Sequence, residues 1–569
     1  MDAFERYSKW CEVKMEDADL AAELTAIKDN KDEIYERFYT DLVFGTGGLR
    51  GVLGAGNNRM NLYTVRRATQ GICTWLKNSG KECSAAVSYD SRNKSELFAK
   101  ATAEVFAANG IKVYIYNALA PTPLLSWAVR YYGCDTGVMI TASHNPAEYN
   151  GYKAYDNNGC QITDKAAAEI LDCVDATDLF EGVLTCDFDK AVAEGKIEYV
   201  SEKAIADYYA AILACSCDTS VLKDSDLKIT YTALNGTGNV FVRHILNEIG
   251  AAEPVLVKEQ MEPDGNFPTC SYPNPEIKAA IELGLKAMLD TKSDILIATD
   301  PDADRLGVSV RRGDDVVLLT GNEVGVLLVD YIASARKAAG TMPAKPVMVK
   351  SIVSTKLAED VADSYGVETR NVLTGFKYIG DQIAVLEKSG EQDRFIFGFE
   401  ESCGYLPGTY IREKDGVSAA MLVAEMAAFY KKQGKTLADA IEDIYKKFGF
   451  YYNYASSTTF PGSQGLKQMA DMMDKLFAAP PTAFGEYKVE SYTDYRAGVK
   501  VCKGESTPTG LPSSSVLSLE IAGAGTVIIR PSGTEPKLKV YYMVKDSSME
   551  KAVELQAKLE KEVRSYLGI

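Results

Sequence analysis

The chain repeats one pattern of secondary structure three times, and this repetition most constrains its fold. In each copy an apolar strand is followed by a polar loop, a helix and a second strand, and the copies cover residues 85–116, 228–257 and 346–373. A strand–helix–strand unit of this kind typically joins two parallel strands of one sheet. The pattern therefore predicts three related α/β domains with mixed or mostly parallel sheets.

The amino-acid sequence of the first copy shows the pattern clearly. Strand AAVSY is followed by the polar loop DSRNK, the helix SELFAKATAEVFAANG and the strand KVYIY. Leu97, Ala101 and Val105 recur at a spacing of four, as on one face of an amphipathic helix. Gly110 stands where a helix commonly ends. These features predict a helix between two strands.

The length of the chain bounds the number of domains. At about 150 residues per domain, 569 residues correspond to roughly four domains. After residue 450 the pattern changes to strands near 515–530 and 538–545 and a final helix from Ser548, which predicts a smaller α+β domain. We therefore predict four domains, at residues 1–215, 216–320, 321–455 and 456–569.

The charge balance excludes two classes of partner. Lys and Arg total 62 against 79 Asp and Glu, so the net charge is −17. A protein that binds nucleic acid or an anionic membrane surface needs a basic face, and this chain has no block of Lys and Arg. No stretch reaches the ~18 apolar residues of a membrane span. We therefore predict binding to neither nucleic acid nor membrane.

The cysteines and the amino terminus indicate the compartment. Twelve cysteines are scattered along the chain, and the close pair Cys215 and Cys217 lacks the C-x-x-C spacing of a redox or zinc site. Reduced thiols are typical of cytosolic proteins. The acidic amino terminus lacks the apolar core of a signal peptide. We predict a cytoplasmic protein, with monomer and dimer both open.

A serine follows an apolar strand in the segment GVMITASHNPAEYNGYKAY, residues 137–155. The apolar run ends at Thr141, and the Asn-Pro step at Asn145 interrupts both strand and helix. A serine such as Ser143 at the carboxyl end of a strand is placed for nucleophilic chemistry, and Lys153 follows ten residues later. An ordinary turn and a Ser-His-Asp hydrolase remain alternatives, although the G-x-S-x-G motif of such hydrolases is missing.

Three aspartates, Asp300, Asp302 and Asp304, alternate between two apolar strands in SDILIATDPDADRLGVSV, residues 293–310. Close carboxylates repel one another unless a cation neutralises them, so the loop predicts a divalent metal. An EF-hand needs glycine where Arg305 stands. Oxygen ligands favour Mg²⁺ with room for a phosphate oxygen, and a solvated acidic turn is the alternative. The chain has only two histidines, so acid–base chemistry depends on lysines or carboxylates.

A third segment, IIRPSGTEPKLKVYY at residues 528–542, combines cationic and hydrogen-bonding groups. Arg530, Ser532, Gly533 and Thr534 supply a guanidinium, two hydroxyls and a backbone that can wrap around an anion. The segment predicts a phosphate-binding loop, and a plain hairpin turn is an equal alternative.

Four further turns carry weaker signals. The turn NGTGN at residues 235–239 matches only part of a dinucleotide-binding fingerprint, because Phe241 replaces its last glycine. The others are VFGTGGLRG, residues 43–51, with Arg50; LTGFKYIG, residues 373–380, with Thr374, Gly375 and Lys377; and GFEESCGYL, residues 398–406, with Glu400, Glu401 and Ser402. Arg50 and Lys377 could each bring a cation to a phosphate, and the glutamates could accept hydrogen bonds from sugar hydroxyls.

Taken together and in this order, the segments resemble the α-D-phosphohexomutase superfamily of phosphoglucomutases and phosphomannomutases. TASHNP resembles its phosphoserine loop, DPDADR its magnesium loop, GFEES its sugar-recognition loop and RPSGTEP its phosphate-binding loop. The similarity runs from about residue 40 to about residue 545. It implies four domains around a central cleft: three similar α/β domains with mixed sheets and a smaller C-terminal α+β domain.

The resemblance also implies roles for individual residues. Ser143 would carry the phosphoryl group and would bind Mg²⁺ together with Asp300, Asp302 and Asp304. Arg50 and His144 would support catalysis, Lys153 would lie beside the reacting oxygen, and Lys377 would transfer protons. The substrate would be bound by Arg305, Thr374, Gly375, Glu400, Glu401, Ser402, Arg530, Ser532, Gly533 and Thr534.

The activity implied by the resemblance is the interconversion of α-D-glucose 1-phosphate and D-glucose 6-phosphate. It would proceed through a phosphoserine enzyme and glucose 1,6-bisphosphate, which is also the expected activator. Gly404 and Tyr405 stand where some members carry a histidine, which argues against the bacterial dual-specificity phosphomannomutases. A phosphopentomutase or phosphomannomutase with the same mechanism, a Mg²⁺-dependent phosphatase and a non-catalytic sugar-phosphate sensor remain alternatives.

Overall fold

The computed structural model describes residues 2–45, 47–78, 80–223, 225–460, 462–531 and 537–569. The helices are α1 (Ala3–Glu12), α2 (Ala18–Ile27), α3 (Lys31–Phe38), α4 (Leu62–Lys77), α5 (Ser95–Ala108), α6 (Thr122–Tyr132), α7 (Asp164–Asp175), α8 (Phe188–Ala193), α9 (Glu202–Leu213), α10 (Gly238–Glu248), α11 (Glu282–Thr291), α12 (Gly321–Ala339), α13 (Leu357–Ser364), α14 (Phe376–Lys388), α15 (Gly416–Lys432), α16 (Leu437–Phe448), α17 (Gly462–Ala478) and α18 (Met549–Leu567). None of the helices in these residues is both long enough and apolar enough to cross a membrane.

The strands alternate with the helices over most of the chain. They are β1 (Gly48–Val52), β2 (Ser84–Tyr89), β3 (Lys112–Ile115), β4 (Thr136–Ile140), β5 (Tyr149–Asp156), β6 (Ile197–Tyr199), β7 (Ile229–Thr232), β8 (Val255–Leu256), β9 (Ile295–Thr299), β10 (Leu306–Arg312), β11 (Asp315–Leu319), β12 (Val347–Ser351), β13 (Glu368–Val372), β14 (Phe395–Glu400), β15 (Gly404–Leu406), β16 (Phe450–Thr459), β17 (Ala483–Phe484), β18 (Tyr487–Asp494), β19 (Val499–Cys502), β20 (Glu505–Pro508), β21 (Leu517–Ile521), β22 (Gly525–Pro531) and β23 (Lys537–Asp546). The predicted α/β class is confirmed.

The chain divides into two compact units that interleave along the sequence. The first unit consists of Met1–Thr320, Gly380–Phe395 and Ser402–Thr436. The second unit consists of Gly321–Ile379, Ile396–Glu401 and Leu437–Ile569.

The first unit contains two mixed sheets. The six-stranded sheet has the order β1-β5-β4-β2-β3-β6, and the five-stranded sheet has the order β11-β10-β9-β7-β8. β2 is parallel to β3 and β4, and β7 is parallel to β8 and β9, so the first two strand–helix–strand predictions are confirmed. β4 and β9 are buried along their whole length, as is typical of strands covered on both faces.

The second unit contains the third copy of the pattern and an antiparallel sheet. β12 is parallel to β13, which confirms the third prediction, and β14 follows β12 in the same sheet. The antiparallel sheet has the order β16-β23-β22-β21-β18-β19-β20. Its strands β21 to β23 and helix α18 match the predicted C-terminal strands and helix, and Ser548 caps α18. Leu519, Val527 and Val544 are fully buried in its core.

Candidate active site

Ser143 lies in a strained loop at the carboxyl end of β4. Its φ is 51°, a left-handed conformation that is uncommon for residues other than glycine. The backbone N–H of Ser143 donates to Thr141 Oγ1 at 2.8 Å, and the Thr141 hydroxyl donates to Asp90 Oδ2 at 2.6 Å. Asp90 lies directly after the neighbouring strand β2. The ends of two adjacent strands therefore fix the backbone that carries the serine.

Arg92 holds the rest of the serine loop through its carbonyl groups. Its guanidinium is buried and donates to Ser143 O at 2.5 Å and to Asn145 O. It also donates to Pro146 O at 2.8 Å and to Tyr149 O at 3.0 Å. Four backbone carbonyls of the loop thus share one buried cation, which fixes their geometry.

The three aspartates form a buried cluster after β9. One carboxylate oxygen from each of Asp300, Asp302 and Asp304 lies within 4.8 Å of the others. Ser143 Oγ donates to Asp300 Oδ2 at 2.9 Å, so the serine and the cluster meet in the first unit. Oδ1 of Asp302 and Oδ1 of Asp304 are buried and accept no hydrogen bond from the described residues. Carboxylate oxygens that accept no hydrogen bond are suitable ligands for a divalent cation such as Mg²⁺.

Two lysines contact the other oxygens of the cluster. Lys153 Nζ lies 2.9 Å from Asp302 Oδ2 and 3.7 Å from Asp304 Oδ2. Lys414 Nζ lies 3.1 Å from Asp304 Oδ2 and 2.7 Å from the buried carboxylate of Glu413. These ammonium groups offset part of the negative charge on their own.

The electrostatic environment shifts the pKa values of two of the aspartates in opposite directions. Burial and the charges of Asp302 and Asp304 raise the pKa of Asp300 well above its usual value. Burial also opposes ionisation of Asp302, but Lys153 and the hydrogen bonds to it outweigh this effect and lower its pKa. Burial disfavours the charged form of Lys153, yet the two aspartates raise the pKa of that lysine. Without a metal, the negative charge is favoured on Asp302 and disfavoured on Asp300.

His144, Arg50 and Arg305 surround the serine and the cluster. His144 Nδ1 lies 3.1 Å from Ser143 Oγ, and burial, with Arg305 and Arg50 nearby, lowers the pKa of His144 well below its usual value. Arg50, on β1, donates to Asn145 Oδ1 at 3.4 Å. The backbone N–H of Arg305 donates to Asp300 Oδ1 at 3.1 Å. The structure therefore brings these predicted residues together.

The turn NGTGN packs against the backbone of the aspartate loop and donates hydrogen bonds to it. Both the N–H and the hydroxyl of Thr237 donate to Pro301 O, at 2.8 and 3.0 Å. A Cβ at Gly236 would lie 2.4 Å from Pro301 Cα, so only glycine allows this close approach. The turn that resembled a dinucleotide-binding motif thus packs on the backbone of the aspartate loop.

The second unit contains four of the predicted substrate-binding residues, Thr374, Gly375, Glu400 and Glu401. Glu400 ends β14, and its Oε1 accepts a hydrogen bond from the N–H of Gly375 at 2.7 Å. Glu401 Oε2 accepts a hydrogen bond from the Ser351 hydroxyl at 2.9 Å. Thr374 directly precedes Gly375, whose φ is 122°.

The remaining predicted residues lie as follows. Lys377 is the second residue of α14, and its Nζ lies 5.2 Å from the centre of the Tyr378 ring. Ser402 follows Glu401 and begins a segment of the first unit. Arg530 lies on β22 opposite Lys539. Ser532, Gly533 and Thr534 lie outside the described residues.

Comparison with known proteins identifies the family. Models of phosphoglucomutase/phosphomannomutase α/β/α domains I, II and III match residues 41–181, 206–313 and 320–448, and the model of the C-terminal domain matches residues 518–560. A protein named phosphoglucomutase from Staphylococcus haemolyticus is 35% identical over 511 residues, which cover 89% of this chain and 90% of that protein. The chain belongs to the phosphoglucomutase/phosphomannomutase family. Another phosphoglucomutase, from Staphylococcus saprophyticus, is 36% identical over 507 residues, 88% of this chain and 90% of that protein.

Solved structures of the family share the fold of this member. The open form of pp63/parafusin, a phosphoglucomutase from Paramecium, has a TM-score of 0.69 at 17% identity, over 92% of this chain and 96% of that chain. A phosphoglucomutase/phosphomannomutase family protein from Burkholderia thailandensis has a TM-score of 0.65 at 18% identity, over 92% and 98%. These similarities confirm the architecture of three α/β domains and a C-terminal domain.

Several residues that contact the aspartate cluster, the serine loop or Glu401 were not predicted from the sequence. Arg92, Lys414, Ser351 and Ser354 contact predicted residues but were not singled out. One signal was available for Arg92, because its polar loop follows a strand adjacent to β4 in the parallel part of the sheet. Lys414 lies in the charged run REKDG just before α15, which by itself is typical of a helix cap.

Proposed function

We propose that this chain is a phosphoglucomutase, which interconverts α-D-glucose 1-phosphate and D-glucose 6-phosphate. The observation that carries the proposal is the hydrogen bond of 2.9 Å between Ser143 Oγ and the buried aspartate cluster. A hydroxyl beside carboxylate oxygens that accept no hydrogen bond suits a phosphorylated nucleophile and a divalent cation. The relatives named phosphoglucomutase over about nine-tenths of the chain support glucose phosphates as substrates.

We assign Mg²⁺ to Asp300, Asp302 and Asp304, with an oxygen on Ser143 as the fourth ligand. When bound, Mg²⁺ would neutralise the carboxylates and the negative charge that develops on the transferred phosphoryl group. The Oδ1 atoms of Asp302 and Asp304, which accept no hydrogen bond from the described residues, support this assignment.

In the proposed reaction, phosphorylated Ser143 donates its phosphoryl group to the free hydroxyl of a sugar monophosphate. The bond between Ser143 Oγ and phosphorus breaks, Ser143 Oγ takes up a proton from solvent to become a hydroxyl, and a bond from phosphorus to the sugar oxygen forms. The hydroxyl proton passes to a base, which we assign to Lys377. Lys153, whose pKa is raised by Asp302 and Asp304 against the effect of burial, stabilises charge at the reacting oxygens as an ammonium group.

The product of this first transfer is glucose 1,6-bisphosphate, which must return its other phosphate to Ser143. We assign the hydroxyls of the sugar to Glu400, Glu401 and Ser402, and the distal phosphate to Arg530, Ser532, Gly533 and Thr534. Arg50, His144 and Arg305 support the serine and the transferred group, and Thr374 and Gly375 line the sugar-binding turn. Added glucose 1,6-bisphosphate would recharge dephosphorylated enzyme and so act as the activator.

The proposed function is tested by following glucose 1-phosphate with Mg²⁺ and a trace of glucose 1,6-bisphosphate. We expect glucose 6-phosphate to form without release of inorganic phosphate, and we expect peptide mass spectrometry to find phosphate on Ser143. Ser143→Ala should abolish both. Stoichiometric release of inorganic phosphate would instead show a phosphatase, and absence of turnover despite sugar-phosphate binding would show a sensor.

The identity of the sugar is tested by comparing kcat/KM for the 1-phosphates of glucose, mannose and ribose under one activator. Two acceptors such as Glu400 and Glu401 suit the equatorial 3- and 4-hydroxyls that glucose and mannose share, so glucose should be preferred and mannose should react more slowly. A preference for ribose 1-phosphate of more than about tenfold, or ~1.4 kcal/mol, would identify a phosphopentomutase with the same mechanism.

The proposal also covers the cellular compartment of the enzyme and its division into domains. No disulfide joins any of the twelve cysteines, all of which lie within the described residues, and this supports a location in the reducing cytoplasm. We keep the four domains at residues 1–215, 216–320, 321–455 and 456–569 as part of the proposal. Whether the enzyme works as a monomer or a dimer can be measured by light scattering.

A further inference from the structure

The guanidinium of Arg305 lies beside Asp304 without a hydrogen bond between the two side chains. Arg305 Nε is 3.9 Å from Asp304 Oδ1, well beyond the roughly 3 Å of an N–H···O hydrogen bond. Both atoms are buried, and neither has a hydrogen-bond partner within the described residues. A buried donor and a buried acceptor that stay unpaired cost free energy. Another interaction must therefore hold the two groups apart.

Glu276 binds the other side of the same guanidinium. Arg305 Nη1 donates to Glu276 Oε1 at 3.2 Å. The two side chains are 19% and 35% exposed, so water screens their attraction less than that of a fully exposed ion pair. The guanidinium is a rigid plane that contains both nitrogens. A bond at Nη1 therefore limits how closely Nε approaches Asp304.

The loop that carries Glu276 packs closely on β10, the strand that begins directly after Arg305. A Cβ at Gly307 would lie 2.6 Å from Pro275 O, so the close approach of loop and strand requires glycine. Pro275 is buried, and the N–H of Glu276 donates to Asn274 Oδ1 at 3.0 Å. The carboxylate of Glu276 thus extends from a fixed backbone.

The backbone of Arg305 is held by groups other than Glu276. Its N–H donates to Asp300 Oδ1 at 3.1 Å, and the residue pairs with Gly404 in an antiparallel bridge. The N–H of the next residue, Leu306, donates to Cys403 O at 3.0 Å. Loss of Glu276 would therefore release the side chain of Arg305 and leave its backbone in place.

We propose that Glu276 is a positioning residue that holds the Arg305 guanidinium away from Asp304, so that Asp304 Oδ1 remains available to a divalent cation. The inference rests on the proposed function, in which Asp304 is a ligand of Mg²⁺. A guanidinium released from Glu276 needs to move only about 1 Å to donate from Nε to Asp304 Oδ1. Mg²⁺ would then have to displace this internal cation and would bind more weakly.

The experiment measures the dissociation constant for Mg²⁺ by calorimetric titration of the wild type and of Glu276→Ala. We expect the constant to rise about tenfold in the variant, as for other substitutions behind metal ligands. The control is Glu253→Ala, which removes a carboxylate from the exposed ion pair with Arg243 in the same unit. The control should bind Mg²⁺ as the wild type does.

A double-mutant cycle with Arg305→Met separates positioning from the simple loss of a nearby negative charge. If Glu276 acts through Arg305, Glu276→Ala changes the dissociation constant of the Arg305→Met variant by less than about twofold, and the two effects are non-additive. Equal weakening in both backgrounds, or no weakening in the presence of Arg305, would overturn the inference.

The cycle remains decisive if Arg305→Met does not fold. Arg305→Lys then takes its place, because lysine keeps the positive charge but lacks the Nε donor. A wild-type protein that does not bind Mg²⁺ would overturn the metal assignment of the proposed function instead, so the two failures are distinct.

Discussion

At the residue scale, the most informative feature is the unequal environment of the three aspartates. Asp302 is paired with Lys153 at 2.9 Å and accepts the Thr122 hydroxyl at 2.8 Å, whereas Asp300 faces two like charges. In the metal-free protein, ionisation of Asp300 is therefore disfavoured and ionisation of Asp302 is favoured.

This asymmetry predicts opposite effects of two isosteric substitutions on metal-free protein. Asp300→Asn should unfold at a higher temperature than the wild type in EDTA, because it removes the disfavoured charge. Asp302→Asn should lose about 3 kcal/mol, because it leaves Lys153 without its main partner. Both should lose mutase activity and most of the stabilisation by added Mg²⁺. Thermal unfolding with EDTA and with Mg²⁺ checks this, and a destabilised Asp300→Asn would contradict it.

The stability difference between Asp300→Asn and the wild type should change with pH in one direction. The folded pKa of Asp300 is raised above its unfolded value, so its contribution to metal-free stability is greatest below the usual carboxyl range. That contribution is lost as the pH rises through the raised pKa. The advantage of Asp300→Asn over the wild type should therefore grow from acid toward neutral pH.

The sequence predicted the serine and the aspartates because each group lies within a few residues of the end of an apolar strand. Arg92 and Lys414 were missed because they reach the site from 51 and 110 positions away, from Ser143 and Asp304 respectively. Contacts of that range depend on how strands order within a sheet, which local patterns do not specify.

At the element scale, the loop after β4 depends on Arg92 for its shape. Arg92→Met should leave four carbonyls and Asp90 without their buried cation and cost about 3–5 kcal/mol of stability. A shift of the serine by about 1 Å is enough to lower kcat by roughly a hundredfold. Arg243→Met removes an arginine from an exposed pair with Glu253 and should change stability by less than about 1 kcal/mol. Urea unfolding and kcat measure both, and equal behaviour of the two variants would contradict a special role for Arg92.

The turn between β7 and α10 gives a second prediction for an element. In Gly236→Ala the new Cβ meets the backbone of Pro301, so the aspartate loop must shift. The dissociation constant for Mg²⁺ should rise about 10- to 100-fold, as for other substitutions behind metal ligands. Gly250→Ala places an alanine at φ 80° in open space and should strain the backbone without changing the Mg²⁺ affinity. Calorimetric titration of both variants distinguishes a specific effect from general destabilisation.

The elements themselves were predicted unevenly. Helix α5 was placed correctly, yet Leu97 is 37% exposed while Phe98 and Ala99 are buried. A helix rich in alanine is buried over most of its surface, so spacing alone does not show which face is solvated. Strand β16 was not predicted because only Tyr451 of its ten residues is buried, and a polar strand lacks the apolar alternation that marks others.

At the scale of the whole molecule, the first unit is assembled from distant parts of the chain. The segment Ser402–Thr436 supplies Asp415, which accepts the Tyr208 hydroxyl at 3.0 Å. It also supplies Glu425, whose Oε1 accepts the N–H groups of Cys217 and Asp218 at 2.9 and 2.8 Å. The later segment thus accepts hydrogen bonds from a helix and a loop that come some 200 residues earlier in the chain.

A fragment of residues 1–320 should therefore fail to unfold cooperatively, although it contains Ser143 and all three aspartates. A fragment of residues 1–436 contains every segment of the first unit and should regain a cooperative transition and stabilisation by Mg²⁺. Circular dichroism on heating tests both fragments. A cooperative, Mg²⁺-responsive fragment 1–320 would show that the later segment is dispensable.

The interleaving of the two units also delays completion of the first unit while the chain is being synthesised. After residue 320 leaves the ribosome, another 116 residues must be made before residue 436, the last of the first unit, is available. At about 5–20 residues per second this delay is on the order of ten seconds. During that time the surfaces that α15 covers remain exposed on the nascent chain. Synthesis of the enzyme therefore requires that these exposed surfaces be kept from aggregating until the later segment emerges from the ribosome.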